Sequence, residues 1–205
     1  MDITDGSGLV AECVVTTVRP GELELAVIDR RTELRPDPKV VVIQAIPKGD
    51  RGELAVELLT EVGADVIVPW AADRCVAVWR GERAVKSRAR WSSAAEQAAK
   101  QSRRAWFPEV PVPVDLAGAV RHVQMADLAI LLDPGGSQTV GTVGLPAGGQ
   151  IIIIVGPEGG ITNAESDALV GAGAVTVALG PTVLRASSAG VVAAGIVLSR
   201  TARWA

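Results

Sequence analysis

The residues best placed for chemistry are glycines, prolines, one acid and one arginine, grouped at two points of the chain. Residues 151–160 read IIIIVGPEGG, and residues 179–190 read LGPTVLRASSAG. Each is an apolar run broken by Gly-Pro, at Gly156-Pro157 and Gly180-Pro181. Glycines in such turns let a ligand approach the main chain closely. A strand, a glycine turn and a helix start occur in any parallel sheet. The second copy argues for a site, because two such breaks after two apolar strands build one crevice from two loops. Glu158, in the first turn, has three readings: it accepts a ligand hydrogen bond, acts as a base, or favours the N-terminus of the next helix by about 0.3–1 kcal/mol. Arg185, after the second turn, is either an anion-binding group or a member of a helix-start ion pair.

The elements that position these residues follow from patterning. Ile151–Val155 is too short for a membrane span and too β-branched for a comfortable helix, and it reads as a central strand buried on both faces. Thr162-Asn163-Ala164-Glu165 is a capping box that opens a helix just beyond the turn. Val175–Leu179 is a second buried strand. Leu128–Leu132 is a third, ending at Asp133-Pro134-Gly135-Gly136-Ser137. In open α/β sheets ligands sit at such carboxyl ends.

Upstream, residues 3–35 read as β, with strands at Leu9–Val15 and Leu23–Ile28 around a Pro20-Gly21 turn. The second alternates Leu23, Leu25 and Val27 with Glu22, Glu24 and Ala26, the pattern of a half-buried antiparallel strand. Arg35–Lys39, with prolines at 36 and 38, reads as a linker. Beyond it come a buried strand at 40–46, a helix at 52–62 and a strand at 66–69. That helix carries Leu54, Leu58, Leu59 and Val62 on one face and is closed by Gly63. Val110–Val114 is a strand interrupted by prolines, hence short or peripheral. Asp115 N-caps a helix to about 123, and residues 141–149 are irregular. A small-residue helix begins near Ala186, and Val191–Trp204 ends the chain as a helix. Ala186, Gly190 and Ala194 recur at fourfold spacing, which suits close helix packing within the fold or across a dimer.

Composition excludes several classes. Hydrophobic residues make up 48% of the 205-residue chain, ample for a core, and the net charge is −3. Cys13 and Cys75 form no CxxC and His122 is the single histidine. A zinc site or disulfide scaffold is therefore not expected, no metal is expected, and a reducing cytoplasm fits. The first ten residues lack the pattern of a signal peptide. The uncharged run 186–199 falls short of the roughly 18 residues of a membrane span. No GxxxxGK[ST] is present, and Gly171-Ala172-Gly173 lacks the third glycine of a dinucleotide fingerprint. Basic residues concentrate in one place. Arg80, Arg83, Lys86, Arg88, Arg90, Lys100, Arg103 and Arg104 are eight of the twenty, against Glu82 and Glu96. Such a run is a solvated helix face or an RNA-backbone contact. Trp91 and Trp106, beside it, are core residues or base-stacking platforms.

GPEGG at 156–160, followed by LGPTVLR at 179–185 and a small-residue helix, resembles the C-terminal signature of the RsmE-type methyltransferases. These are SPOUT-class RNA methylases that depend on S-adenosylmethionine. The resemblance extends upstream through Gln44, Lys48, Glu61-Val62-Gly63, Pro69 and Asp73-Arg74-Cys75, with Asp73 in place of a glutamate. It continues through Gln101-Ser102, Arg104, Pro108 and Glu109. It implies an α/β fold over residues 38–205: a SPOUT-type parallel sheet with a C-terminal trefoil knot. Over residues 1–36 it implies a partial, N-terminally incomplete PUA-like β-barrel that binds RNA.

The implied activity is methylation of a uridine N3 in 16S, small-subunit ribosomal RNA, with S-adenosylmethionine as cofactor. The implied partners are that RNA or the assembled subunit, and a second copy in a homodimer, in the cytoplasm and away from membranes. The cofactor is expected at three loops. Leu132, Asp133 and Pro134 form the first, and Val155, Gly156, Pro157, Gly159 and Gly160 the second. Leu179, Gly180, Val183 and Leu184 form the third. Lys48, Arg74, Arg88, Arg90, Gln101, Arg103 and Arg104 are the expected RNA contacts. Arg185, facing the target base or a phosphate, and Glu158 are the expected catalytic groups. The signature usually continues Thr-Glu-Thr-Ala. Here Ala186-Ser187-Ser188-Ala189 follows, so Ser187 replaces the acid and any role of that acid does not carry over. Two other functions stay open: a non-catalytic RNA-binding module, and an α/β nucleotide-binding enzyme that does not use S-adenosylmethionine.

Overall fold

The isoleucine run lies where its composition requires. In the computed structural model, which describes residues 1–204, it forms strand β8 (Gln150–Val155), with Ile151–Ile154 fully buried. β8 pairs in parallel with β4 (Lys39–Ala45) on one side and β6 (Leu128–Leu132) on the other. β5 (Val66–Trp70) extends the sheet beyond β4, and β9 (Val175–Ala178) and β7 (Gln138–Thr139) extend it beyond β6. The order is β5-β4-β8-β6-β9-β7, all parallel. Period-two alternation sends Ile151, Ile153 and Val155 into one core layer, with Val40, Val42, Leu59 and Val197. Ile152 and Ile154 enter the other, with Ile43, Ala119 and Leu169. Burying such a side chain contributes about 1.5–3 kcal/mol. β7, two residues long, has too little pattern to be visible in the sequence.

Helices α1 (Arg51–Val62), α2 (Gly81–Gln101) and α5 (Ala186–Leu198) stack on the first layer, and α3 (Leu116–Gln124) and α4 (Asn163–Gly171) lie on the second. The capping box of α4 forms in full, and Asp115 caps α3 through a bond from the Gly118 N–H at 2.8 Å. The buried face of α1 is not the expected leucine stripe. It consists of Gly52, Ala55, Val56, Leu59 and Thr60, while Leu54 is 47% exposed. The cause is the sandwiching of α1 between α2 and α5. The Trp91 indole lies 2.7 Å from where a Cβ on Gly52 would stand, so this face needs small residues. Trp91 is thereby a core residue, 2% exposed, in edge contact with Trp79.

The N-terminal residues form an antiparallel sheet, β1-β2-β3, of Asp2–Thr4, Leu9–Arg19 and Glu22–Thr32. The expected half-burial of β3 is not realised. Leu25 alone is partly covered, and Leu23 and Val27 are about half exposed, because β3 is an edge strand that pairs only with β2, whose Val10 and Cys13 are the buried residues of this sheet. This sheet is fastened at its base. Gly8 N–H donates to the Ala105 carbonyl at 3.0 Å, and the Trp106 indole donates to the Glu33 carbonyl at 3.0 Å. The Arg35 guanidinium covers the Trp106 ring at 4.6 Å. Trp106 is thus occupied in holding the sheet.

Two more expectations change. Val110–Val114 is not a strand. It touches β5 only through isolated bridges at Glu109 and Val114, since Pro111 and Pro113 cannot donate. The last helix starts at Ala186, where the small-residue run was expected to begin, but ends at Leu198 rather than at Trp204. Arg200 donates to the Val140 and Val143 carbonyls at 2.7 Å and turns the tail. Ala205, the last residue of the expected second domain, lies outside the described residues. The fourfold small-residue face of α5 is used within the chain: Ala194 is fully buried, and the Gly190 Cβ position would stand 3.1 Å from Val155 Cγ2.

Candidate functional site

Because β8, β6 and β9 are neighbours and parallel, their carboxyl ends emerge at one edge and the loops that follow must meet. They enclose a cleft of about 590 Å³, within the roughly 300–1,000 Å³ of small-molecule sites. The β6 loop brings Leu132, Asp133 and Pro134. The β8 loop brings Val155, Gly156, Pro157, Glu158 and Gly160. The β9 loop brings Leu179, Gly180, Val183, Leu184 and Arg185. One glycine departs. Gly159 turns away from the cleft, and a Cβ there would stand 3.1 Å from Arg74 Cβ. Ile161, Pro181, Thr182, Ala186 and Ala189 also line the cleft and were not anticipated. Ala186 and Ala189 carried a signal, being three apart at a helix start just after the loop.

Polar groups in the cleft are few and mostly main-chain. Among the described residues, the N–H groups of Leu179, Gly180, Thr182, Val183 and Leu184 donate to no main-chain acceptor of the chain. Those residues line the cleft, so their N–H groups are available to a ligand in it. Asp133 is occupied, its Oδ1 accepting from the Gly135 N–H at 2.6 Å. Glu158 is tethered more loosely: its Oε1 accepts from the Lys48 N–H at 3.4 Å. Arg185 is exposed at the N-cap of α5, with no side-chain capping bond. Ser187, where the resemblance places an acid, is buried in the first turn of α5.

The expected RNA contacts fall into two groups. Lys48 and Arg74 flank the β8 turn, the latter donating from Nη1 to the Gly159 carbonyl at 3.1 Å. Arg88, Arg90, Gln101 and Arg103 are exposed on or just beyond α2. Arg88 Nε donates to the Val110 carbonyl at 2.9 Å, and Arg90 lies 3.8 Å from Glu53. Arg104 does not belong with them. Its guanidinium donates to the Trp106, Thr60 and Ala64 carbonyls and pairs with Asp65 at 3.3 Å, at 13% side-chain exposure. Burial lowers its pKa, with Asp65 opposing that shift. A charge spent on four protein acceptors is a strut, not a free phosphate contact.

Other titratable groups do not serve the cleft. Burial pushes the Cys75 thiol up, with Glu158 and Glu165 adding to the shift against bonds from Ala72 and Ile46. It is therefore a protonated thiol at neutral pH and a poor nucleophile. Burial, then Arg121 and Lys39, hold the His122 imidazole below its ordinary value. Glu165 is fully buried. It accepts from the Thr162 N–H at 2.9 Å and the Asp73 N–H at 2.8 Å, tying α4 to the Arg74 loop.

The two loop glycines differ, which gives an expected result. A Cβ at Gly156 would stand 2.6 Å from Ile161 Cγ1, whereas a Cβ at Gly180 meets nothing within 4 Å. Gly156→Ala must push Ile161 into the cleft and weaken ligand binding about tenfold or more, as a displacement worth about 1.4 kcal/mol does. Gly180→Ala displaces no protein atom, but its methyl adds to the cleft lining, so any loss of binding there comes from contact with the ligand itself. Isothermal titration of both variants checks this, and unchanged binding in both would place the ligand elsewhere.

A doubly covered parallel sheet whose neighbouring strand ends frame one glycine-edged, largely apolar cleft defines an α/β cofactor-binding enzyme. Residues 35–198 match the family model for the RNA methyltransferase domain. The chain is 44% identical over 204 residues to the ribosomal RNA small subunit methyltransferase E of Mycobacterium bovis, a match covering 98% of this chain and 78% of that one. It is 32% identical over 190 residues to the Bacillus subtilis protein of the same name, covering 89% and 74%. The solved structure of the Neisseria gonorrhoeae ribosomal RNA small subunit methyltransferase E, bound to S-adenosyl methionine, aligns with a TM-score of 0.85 at 27% identity, covering 97% of this chain and 82% of that one. The chain belongs to the RNA methyltransferase family, among the ribosomal RNA small subunit methyltransferases E.

Proposed function

We propose that this protein transfers a methyl group from S-adenosylmethionine to the N3 of a uridine in small-subunit ribosomal RNA. The observation that carries this is the cleft itself: three loops lined by apolar side chains, free main-chain donors on the β9 loop, and one exposed arginine at the rim. Those residues fit the cofactor: Leu132, Val155, Leu179 and Leu184 would hold its adenine between apolar side chains, and the unpaired N–H groups of the β9 loop would supply hydrogen bonds to its polar atoms. The cofactor, when bound, supplies a methyl group already activated on a sulfonium.

The chain's own tasks are then to align, to exclude water and to manage one proton. N3 of uridine carries that proton, and its N–H bond breaks as the N–C bond forms. Glu158, the more loosely held of the two cleft carboxylates, accepts it. Arg185 stabilises the negative charge that develops on the uracil. Lys48 and Arg74, beside the β8 turn, hold the phosphates that flank the target. The exposed basic residues of α2 and Arg103 hold the backbone further along.

The same reading includes a C-terminal trefoil knot within residues 38–205 and a PUA-like barrel to which residues 1–36 contribute strands. It also includes a homodimer acting in the cytoplasm on the free RNA or the assembled subunit. Sedimentation that shows only a 21.2 kDa species at micromolar concentration speaks against the dimer. No helix among the described residues is long and apolar enough to cross a membrane.

A thermal-shift comparison separates the classes. S-adenosylhomocysteine at a hundred times its Kd adds about 2.7 kcal/mol. A shift with ATP or NAD instead would mark a nucleotide-binding enzyme of another kind. No product alongside cofactor binding would leave an RNA-binding module. The decisive readout is 3-methyluridine in RNA treated with protein and labelled cofactor, identified by mass spectrometry. For the RNA face, Arg83→Ala with Arg103→Ala lowers RNA affinity and reduces the slope of log K against log salt by about 0.7–0.9 per lost phosphate contact. Cofactor affinity stays as it was. An unchanged slope would remove this face from the RNA path.

A further inference from the structure

β4 reads Lys-Val-Val-Val-Ile-Gln-Ala, and every residue from Val40 to Ala45 is buried, Gln44 included at 0% exposure. A glutamine inside a doubly covered strand is costly unless its amide is satisfied. Only half of it is. Nε2 donates to the Ala45 carbonyl at 3.1 Å and the Ala186 carbonyl at 3.3 Å. Oε1 has no hydrogen-bond partner among the described residues. Reversing the amide would turn the oxygen onto those two carbonyls, so the amide is oriented by the donor it offers to the start of α5. A polar side chain kept among valines and isoleucines for that donor calls for a function.

The Ala186 carbonyl belongs to the first residue of α5, directly after Arg185. No side chain caps that helix at its N-terminus. The neighbours of the glutamine are themselves cleft elements. Gln44 stands opposite Val155 in register, and a Cβ on Gly190 would lie 3.4 Å from its Oε1. Gln44 thus wedges between the end of β8 and the first turn of α5, directly behind Val155 and Ala186, which line the cleft.

We propose that Gln44 is a positioning residue: through the Ala186 carbonyl it sets the first turn of α5, and with it Leu184 and Arg185 against the cofactor and target base. The proposal rests on the reading of the cleft as the S-adenosylmethionine site. Gln44 touches neither ligand, and its effect on catalysis passes through the start of α5.

The test uses Gln44→Met and Gln44→Glu in the full chain. Gln44→Met keeps the shape but removes both the donor and the orphan acceptor. The orphan acceptor goes, but so do the bonds to the Ala45 and Ala186 carbonyls, so the unfolding midpoint shifts by no more than about 4 °C in either direction. Affinity for S-adenosylhomocysteine falls about five- to tenfold, as for one net hydrogen bond. Amide hydrogen exchange read by mass spectrometry speeds up over residues 185–190 and not over 191–198. Gln44→Glu puts an oxygen against the Ala186 carbonyl. A buried carboxyl ionises late, and in its protonated form it can donate to that carbonyl. Its affinity for S-adenosylhomocysteine therefore recovers toward the unsubstituted value as pH falls from about 8.5 to 6, the region to which burial raises such a group.

Unchanged exchange over 185–190, unchanged affinity in Gln44→Met, or no pH rescue in Gln44→Glu would overturn the proposal. If the unsubstituted protein binds no S-adenosylhomocysteine, the cofactor reading fails instead. The exchange data then still decide whether Gln44 holds α5.

Discussion

Asp65→Ala lowers the stability of the protein by about 3–5 kcal/mol, the loss expected when one partner of a buried ion cluster is removed. Asp65 receives the Val40 N–H at 2.8 Å, Arg203 Nη1 at 2.6 Å and Arg104 Nη2 at 3.3 Å. All three charged side chains are 11–13% exposed. The two guanidiniums also take the Thr60, Ala64 and Trp106 carbonyls and the Pro38 and Gly63 carbonyls. One carboxylate therefore joins the start of β4, the end of α1, the segment under the N-terminal sheet and the C-terminal tail. Without it, two cations face each other with no anion between them, and desolvation works against both. Urea denaturation followed by circular dichroism measures the change. A loss below about 1 kcal/mol, the value of an exposed pair, would show that the cluster is solvated. Removing only Arg203 by Arg203→Ala leaves Asp65 paired with Arg104 and is expected to do less harm.

Arg185→Ala lowers the methylation rate by about 10²–10³-fold, the usual consequence of removing a group that stabilises developing charge. RNA affinity changes little by comparison. The prediction follows from where Arg185 stands: exposed, at the rim of the cleft, on the last residue before α5, with no side-chain bond to the helix it precedes. A guanidinium so placed adds nothing to the fold that its loss would disturb. Single-turnover transfer of labelled methyl, with RNA binding measured separately at fixed salt, distinguishes the two effects. Equal losses in rate and affinity would make Arg185 a phosphate contact. Arg185→Lys keeps the charge but loses the planar fork, and it recovers only part of the rate.

Much of the cleft was legible in the sequence because it is built from local signals. Four isoleucines and a valine before Gly156-Pro157 can hardly be anything but a buried strand ending in a turn. Thr162 and Glu165 announce their helix by spacing alone. Parallel strands bury both faces, so their apolar runs are continuous, and the loops after them can be picked out without knowing their neighbours. The three loops that meet at the cleft were identified in this way, as were Glu158 and Arg185 within them.

What only the tertiary structure decided concerns residues whose role depends on what lies opposite. Arg104 sits in a run of basic residues like any other. Its partners, Thr60, Ala64 and Asp65, are about forty positions away, and no local period connects them. Leu54 fits an amphipathic stripe, but packing of α1 between two helices moved the buried face onto Gly52, Ala55 and Thr60. Gly159 and Gly160 are neighbours in one turn, yet only the second lines the cleft, while the first packs closely on Arg74, some eighty-five positions away. The alternation in β3 specified which residues share a face, but covering that face takes a second layer that no pattern within the strand can supply. Patterning sets the direction in which each side chain points; the charge, carbonyl or empty space it meets there is determined by segments distant in sequence.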